Sequence, residues 1–187
     1  RNIIALLPGS RKQEISSMLP IMLQASQKFN NEQFIVAGLQ VHGEEFYKNI
    51  LKNYNIKVVY NQTYDLLKNS VAACVTSGTA TLETALLNIP EVVCYRGSDI
   101  SYHIAKRLIG KNIQYISLIN LIMNKEVVKE LIQDQLTPYN LALELENLLN
   151  NEQYKEQLHC EYKLLRKKLG GQGASQKTAN LIVKAIS

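Results

Sequence analysis

The sequence predicts an α/β fold in which a six-stranded parallel sheet carries helices on both faces and is followed by a helical C-terminal segment. Short apolar runs alternate with longer stretches of helical periodicity up to residue 118, and only helical periodicity remains beyond it. The 187 residues are 46% hydrophobic and 20% charged, which suits one globular domain over 1–187 with a sizeable core. Disordered, collagen-like and coiled-coil chains have different compositions.

Six runs have the length and apolar character of buried strands. They lie at 2–7, 33–37, 56–60, 71–75, 91–95 and 114–118. The stretches between them have helical periodicity and are long enough for right-handed crossovers. These helices are predicted near 12–30, 43–53, 63–69, 79–88 and 99–110.

The last third of the chain is predicted to be helical. The helices lie at 125–133, 137–149, 153–169 and 174–186. The third presents one apolar stripe, formed by Tyr154, Leu158, Tyr162, Leu165 and Leu169. Glycines at 170, 171 and 173 then interrupt the chain, so we expect the helix at 174–186 to lean away from the sheet.

The apolar runs, cysteines and histidines argue against a membrane-spanning protein, a disulfide-bonded protein and a metalloprotein. Runs such as 3–7 and 71–75 have five residues, far fewer than the roughly 20 that a membrane span needs. Cys74 and Cys94 lie in apolar strand-like runs, which is typical of core residues in a reducing compartment. The three histidines are scattered, so no metal site is expected.

The two ends of the chain each suggest a partner. Residues 160–187 hold six basic residues and one acidic residue, which fits a solvated helix face, a nucleic-acid contact or a docking surface. At the other end, a strand begins directly after Arg1, without an initiating methionine. We therefore expect an excised or processed fragment whose active site needs further residues.

Glycine and hydroxyl residues follow two of the predicted strands. Gly9-Ser10-Arg11 follows the first, and Ser77-Gly78-Thr79 follows the fourth. The carboxyl ends of parallel strands share one edge, where helix N-termini present free N–H groups. Together the two loops predict a diphosphate cradle, with Arg11 matching phosphate geometry. The alternative for the first loop is a capping box between Ser10 and Gln13.

Glu83 lies four residues after Thr79, one residue beyond the capping-box spacing. A carboxylate one turn inside this helix suits a ribose diol, as in other nucleotide sites. The motifs GxxxxGK[ST] and GxGxxG are both absent, which argues against common ATPases, kinases and hydride-transfer enzymes. No DxD pair is present to hold a metal with a diphosphate, so the site is predicted to be metal-free.

Six collinear segments resemble the C-terminal half of the lipid-A-disaccharide synthase family. They are LLPGSRKQEI at 6–15, SGTATLETAL at 77–86, VVCYRGSDISYHIAKRLI at 92–109, YISLINLI at 115–122, VVKELIQD at 127–134 and GASQKTA at 173–179. The resemblance implies a GT-B glycosyltransferase, built from two Rossmann-like domains, with the donor held mainly by the C-terminal one and no metal or other cofactor. It also implies that the helix at 174–186 reaches toward the other domain. It implies UDP-2,3-diacylglucosamine as donor and 2,3-diacylglucosamine 1-phosphate as acceptor, with inversion at the anomeric carbon, at the cytoplasmic face of the inner membrane.

The resemblance also assigns residues to the UDP-sugar site. They are Gly9, Ser10, Arg11, Ser77, Gly78, Thr79, Glu83, Asn120 and Gln133. Ile119 stands where the family usually has proline before Asn120. No catalytic residue is assigned to this chain, because the base is implied to come from the N-terminal domain. We therefore expect the chain alone to bind UDP without turnover.

Several alternatives remain open from the sequence. Tyr95 and Arg96 follow the fifth strand and either line the donor pocket or belong to the core. The stretch at 100–109 is either a helix covering the sheet, which we favour, or a lipid-facing surface helix. Other GT-B proteins that bind UDP-sugars, such as UDP-N-acetylglucosamine 2-epimerases or peptidoglycan glycosyltransferases, are the nearest enzyme alternatives. A non-catalytic module that docks nucleic acid or protein through the basic C-terminal residues is the alternative from another class.

Overall fold

The computed structural model describes residues 2–97, 115–170, 178–179 and 181–184. It contains a six-stranded, all-parallel sheet with the strand order β3-β2-β1-β4-β5-β6. The strands are β1 (Ile3–Leu7), β2 (Gln33–Gly38), β3 (Lys57–Tyr60), β4 (Ser70–Thr76), β5 (Glu91–Tyr95) and β6 (Lys129–Ile132). The predicted α/β fold with a six-stranded parallel sheet is confirmed, and five strands lie where the sequence places them.

Seven helices connect and follow the strands in the described parts of the chain. They are α1 (Lys12–Ser26), α2 (Glu44–Leu51), α3 (Thr63–Lys68), α4 (Thr79–Leu86), α5 (Leu118–Met123), α6 (Pro138–Asn150) and α7 (Glu152–Leu169). Short 3₁₀ turns occur at Gln40–His42 and Gln133–Gln135. The predicted helix at 99–110 lies outside the described residues. Of the predicted helix at 174–186, the described residues 178–179 and 181–184 are helical.

Alternate strand residues point to opposite faces of the sheet, and both faces are covered. Ile4 and Leu6 of β1 belong to the larger core with residues of α1, α2, α6 and α7. Ala5 and Leu7 face the other side, where they share a smaller core with α3 residues. Cys74 and Cys94 are buried in the larger core as expected, whereas Cys160 is exposed.

The apolar stripe of α7 explains how the C-terminal part packs. Leu158, Tyr162 and Leu165 are buried in the core, whereas Leu169 is 42% exposed. The side chain of Asn151 accepts a hydrogen bond from the Tyr154 amide and caps the helix start. The stripe therefore buries its central turns, and its last residue is at the surface.

The sixth strand differs from its predicted position. It is formed by Lys129–Ile132, inside the region predicted as a helix at 125–133. In the segment predicted as a strand at 114–118, residues 115–116 have no regular structure and Ser117 caps α5. A half-buried strand usually shows apolar residues at its buried positions. β6 instead buries a charged residue, Glu130, which is only 7% exposed, so the sequence does not show this pattern.

The strand order reverses between β1 and β4, which pair side by side. β2 and β3 lie to one side of β1, and β5 and β6 lie beyond β4 on the other. At such a switch point the connections leave in opposite directions and open a crevice outside the carboxyl ends of the strands. The Gly9–Arg11 and Ser77–Thr79 loops follow these two strands and flank the crevice.

Glu91, the first residue of β5, is a buried acid. It is fully buried, and neither carboxyl oxygen has a hydrogen-bond partner among the described residues. Burial raises the pKa of Glu91 well above its ordinary value of 4.5, so the folded chain keeps this carboxyl protonated under conditions in which the unfolded chain ionises it.

We expect the Glu91→Gln substitution to stabilise the protein at pH values above 4.5, where the unfolded chain ionises Glu91. For wild type, the Glu91 contribution to the free energy of unfolding falls as pH rises above 4.5, by about 1.4 kcal/mol per pH unit until the pKa of the folded state is reached. Urea unfolding at pH 5, 6 and 7 measures the difference between the two proteins, with exposed Glu126→Gln as control. Parallel pH curves for wild type and Glu91→Gln would contradict the expectation.

Candidate functional site: a cavity at the strand switch point

A cavity of about 540 Å³ opens beside the switch point, lined by residues at and after the carboxyl ends of β1 to β4. The structure brings together seven of the nine residues predicted to hold the UDP-sugar. They are Gly9, Ser10, Arg11, Ser77, Gly78, Thr79 and Glu83. The other two, Asn120 and Gln133, do not line this cavity.

The start of α1 is capped by its own carboxylate. Glu14 Oε2 accepts hydrogen bonds from the backbone amides of Ser10 (3.0 Å) and Arg11 (3.2 Å). Its Oε1 accepts from the Arg11 guanidinium at 2.8 Å. The cap therefore joins Arg11 to Glu14, and the predicted capping box between Ser10 and Gln13 is wrong by one residue.

These contacts determine the charge of Glu14. Partial burial raises its pKa, but the hydrogen bonds from Arg11 and Ser10 and the Arg11 charge outweigh burial, so the pKa of Glu14 lies below its ordinary value. The carboxylate is thus ionised at neutral pH and lies within the lining of the cavity.

The start of α4 differs from that of α1. Its N-cap is Gly78, which makes no side-chain cap, and the first turn carries no acidic residue. Gly78 has φ of 155° and ψ of −162°, a conformation that is essentially restricted to glycine. The positive end of the helix therefore faces the cavity without a carboxylate in its first turn.

A buried hydroxyl also lines the cavity. Thr76, the last residue of β4, is 7% exposed, and its Oγ1 has no hydrogen-bond partner among the described residues. Buried hydroxyls usually find a partner, so this one is suited to receive a polar group of a ligand.

Glu83 has a partner that the sequence does not indicate. The hydroxyl of Tyr64, on α3, pairs with the Glu83 carboxylate, whose negative charge and hydrogen bond raise the pKa of the phenol. Both residues line the cavity, and Tyr64 is 54% exposed. No motif marks Tyr64, because it enters the site from α3, a different helix from the one that carries Glu83.

Asn120 has its polar atoms engaged inside the protein. Its side chain is fully buried, and its Nδ2 donates to the Val128 carbonyl and to Glu130 Oε1, both at 2.8 Å. Its Oδ1 accepts from the amides of Val127 (2.7 Å) and Val128 (3.0 Å). The structure thus gives Asn120 a role in fixing the segment between α5 and β6 rather than a place in the cavity.

Glu130 is the centre of this network. Its carboxylate accepts from the Ile116 amide, from the Ser117 amide and hydroxyl, and from Asn120, at 2.7 to 2.9 Å. The Ser77 hydroxyl, predicted to meet a ligand, donates instead to the Ile116 carbonyl at 3.2 Å. Ile116 thus links Glu130 to Ser77, and the network helps to hold the loop that follows β4.

Gln133 joins the ends of β5 and β6. Its Oε1 accepts from the Gly97 amide at 3.0 Å, and its Nε2 donates to the Gly97 carbonyl at 3.3 Å. Arg96 donates to the Leu136 carbonyl at 3.0 Å, and neither Arg96 nor Tyr95 lines the cavity. His103 and the stretch at 100–109 lie outside the described residues.

The basic C-terminal residues make helix-capping contacts. Arg166 donates to the Leu86 carbonyl at the end of α4, and Lys168 donates to the Ile122 carbonyl near the end of α5. Cations suit these positions because carbonyls at helix ends carry partial negative charge.

The described residues contain neither a metal-binding cluster nor a membrane-spanning helix. No group of three His, Cys, Asp or Glu side chains there is arranged to hold a metal ion. None of the helices in these parts of the chain combines the length and apolarity that a membrane span requires.

A family model described as lipid-A-disaccharide synthetase matches residues 1–185. The chain belongs to this family. The lipid-A-disaccharide synthase of Syntrophus aciditrophicus is 35% identical over 98% of this chain and 49% of the relative. That of a Sulfurihydrogenibium species is 33% identical over 97% of this chain and 50% of the relative. The chain thus spans about half the length of the curated relatives it matches.

Solved structures of a glycosyltransferase and of a sugar-nucleotide epimerase share this fold. The spinosyn forosaminyltransferase SpnP has a TM-score of 0.62 at 13% identity, covering 100% of this chain and 44% of its own. A UDP-GlcNAc 2-epimerase from Neisseria meningitidis, solved with UDP-GlcNAc, has a TM-score of 0.58 at 13% identity, covering 98% of this chain and 44% of its own. These likenesses confirm the predicted GT-B type of fold.

Proposed function

We propose that this chain is the donor-binding half of a lipid-A-disaccharide synthase. It holds UDP-2,3-diacylglucosamine while the sugar is transferred to 2,3-diacylglucosamine 1-phosphate, giving the disaccharide precursor of lipid A. The observation that supports this proposal most strongly is the single cavity that gathers Gly9–Arg11, Ser77–Thr79 and Glu83 at the switch point. Family membership adds the substrate class.

Each part of the nucleotide has a suitable partner in the cavity. The diphosphate fits the uncapped start of α4, where helix amides and the positive dipole end attract anions. Arg11, 81% exposed at its side chain, can turn its guanidinium fork toward the same phosphates. Glu83 suits the ribose, because an ionised carboxylate accepts hydrogen bonds from two vicinal hydroxyls.

In the proposed reaction, negative charge develops on the diphosphate leaving group, which is held by this half of the enzyme. The acceptor hydroxyl attacks the anomeric carbon with inversion as the bond to the UDP phosphate oxygen breaks. The α4 amides and Arg11 stabilise the charge that builds on the diphosphate leaving group. The base that removes the hydroxyl proton comes from residues outside this chain, so the chain alone binds donor without turnover.

The proposed substrates also set the location. Both carry acyl chains, so an enzyme with this function works at a membrane surface. We place it in the cytoplasm, peripheral to the inner membrane, without a role for nucleic acid. The capping contacts of Arg166 and Lys168 support this choice, because they use two of the basic residues that a nucleic-acid module would need.

Calorimetric titration with UDP and with ADP tests the proposal. We expect saturable binding of UDP and weaker binding of ADP. The two nucleotides carry the same diphosphate and differ in the base, so the comparison isolates the preference for uracil. Equal affinities for the two nucleotides, or no binding of UDP, would contradict a uridine-sugar site.

The Arg11→Ala substitution should weaken UDP binding about tenfold, which corresponds to one charge-assisted hydrogen bond at an exposed position. Uridine lacks phosphates, so its affinity should remain unchanged. Calorimetry with both ligands measures the difference. The matched control is Lys12→Ala, a neighbouring cation that lies 5.5 Å from the centroid of the Phe46 ring and does not line the cavity. An equal loss in both variants would indicate general electrostatic attraction instead.

A further inference from the structure

Glu14 takes up positively polarised groups at the mouth of the cavity. Its carboxylate accepts hydrogen bonds from the amides of Ser10 and Arg11 and from the Arg11 guanidinium, within 2.8 to 3.2 Å. A phosphate group uses the same kinds of donor, namely helix-start amides and a guanidinium. Glu14 and these donors all line the cavity.

Gly9 allows the carboxylate this position. A Cβ added at Gly9 would lie 2.8 Å from Glu14 Oε2 and 2.9 Å from Glu14 Cβ, closer than non-bonded atoms approach. Gly9 also has φ of 113°, which favours glycine. The absence of a side chain at Gly9 therefore lets an anionic group approach the backbone closely. In this structure that group is the Glu14 carboxylate.

The first turn of α4 has no such internal anion. The α4 start carries no acidic residue in its first turn, and the Thr76 hydroxyl lacks a partner among the described residues. Of the two loops at the switch point, the one before α1 therefore has amides bonded to a carboxylate, and the one before α4 has no such carboxylate.

We propose that Glu14 is an internal competitor for the anion site, displaced from the Arg11 and Ser10 donors when a ligand diphosphate binds. This inference rests on the proposed function, because it assigns a role to a residue of the same donor site. Displacement costs the three charge-assisted hydrogen bonds of Glu14, and the incoming phosphates restore them. A ligand without phosphates leaves Glu14 in place, so the competition weakens the binding of phosphorylated ligands only.

The Glu14→Gln substitution separates competition from simple positioning. Glutamine is also found at this capping position, so the start of α1 is kept while the negative charge is removed. We expect UDP and inorganic pyrophosphate to bind about tenfold more tightly to the variant, the usual difference between a charge-assisted and a neutral hydrogen bond. Uridine affinity should not change.

A matched control is Glu44→Gln. Glu44 also lies in the first turn of a helix and pairs with a cation, Lys48, at 3.2 Å, but it does not line the cavity. Unchanged ligand affinities are expected for this variant, and thermal melts of all variants verify folding.

The results distinguish the two proposals. If wild type binds UDP but Glu14→Gln binds UDP and pyrophosphate equally or more weakly, Glu14 positions Arg11 and the competitor role is overturned. If neither protein binds UDP, the proposed function fails. In that case tighter pyrophosphate binding by Glu14→Gln still supports the competitor role, and unchanged or absent pyrophosphate binding overturns it.

Discussion

Replacing Glu130 with alanine is expected to lower the free energy of unfolding by about 3–5 kcal/mol. The side chain is 7% exposed, and its carboxylate accepts hydrogen bonds from two backbone amides, the Ser117 hydroxyl and the Asn120 amide. Alanine removes this acceptor from all four donors, and those on Ser117 and Asn120 belong to fully buried residues. Urea unfolding monitored by circular dichroism measures the loss.

Glu126→Ala is the matched control for this experiment. Glu126 lies four residues earlier in the chain and forms an exposed pair with Lys129 at 3.1 Å, so its removal should change stability by less than about 0.5 kcal/mol. A loss below about 1 kcal/mol for Glu130→Ala would show that the network contributes little, and would remove its role in supporting the β4 loop.

The Glu83→Ala substitution is expected to have the largest effect on ligand binding. Two ribose hydroxyls that donate to one carboxylate contribute about 2–3 kcal/mol, so UDP and uridine should bind roughly 30- to 150-fold more weakly. Uracil lacks the ribose and should bind equally to both proteins. Ligand-observed NMR with the three ligands measures the affinities.

Asp65→Ala provides the control for Glu83. Asp65 is an exposed acid that adjoins Tyr64 in the chain but does not line the cavity, and its removal should leave UDP affinity unchanged. Equal losses for UDP and uracil in Glu83→Ala would contradict the ribose role and would indicate that the variant disturbs the cavity as a whole.

Local periodicity was sufficient to predict most of the sheet, and the failures have a physical cause. β1, β2, β4 and β5 are apolar on both faces because helices cover both sides, so short apolar runs mark them. β6 fails this test because Glu130 replaces an apolar residue, and its partners at Ile116 and Ser117 are more than ten residues away in sequence. The hydrophobic pattern along the chain does not show hydrogen bonds between segments that are this far apart in sequence.

The candidate site shows the same limit. The two glycine loops and Glu83 were predictable, because parallel strands bring their carboxyl ends to one edge. Tyr64 was not, since it reaches Glu83 from another helix. Glu14 stands in the LLPGSRKQEI segment at capping distance from Arg11, so the spacing was visible. Only the structure shows that its carboxylate takes up three donors at the cavity mouth.

The most direct test of the uridine diphosphate site is a UDP titration of the ¹⁵N-labelled chain followed by amide NMR. We predict that the largest shift changes occur at Gly9, Ser10 and Arg11 and, at the same UDP concentrations, at Gly78 and Thr79, because both loops line one cavity. Largest changes instead at the groove beside Tyr47, Tyr54 and Tyr60, or around Asn88 and His159, would contradict it.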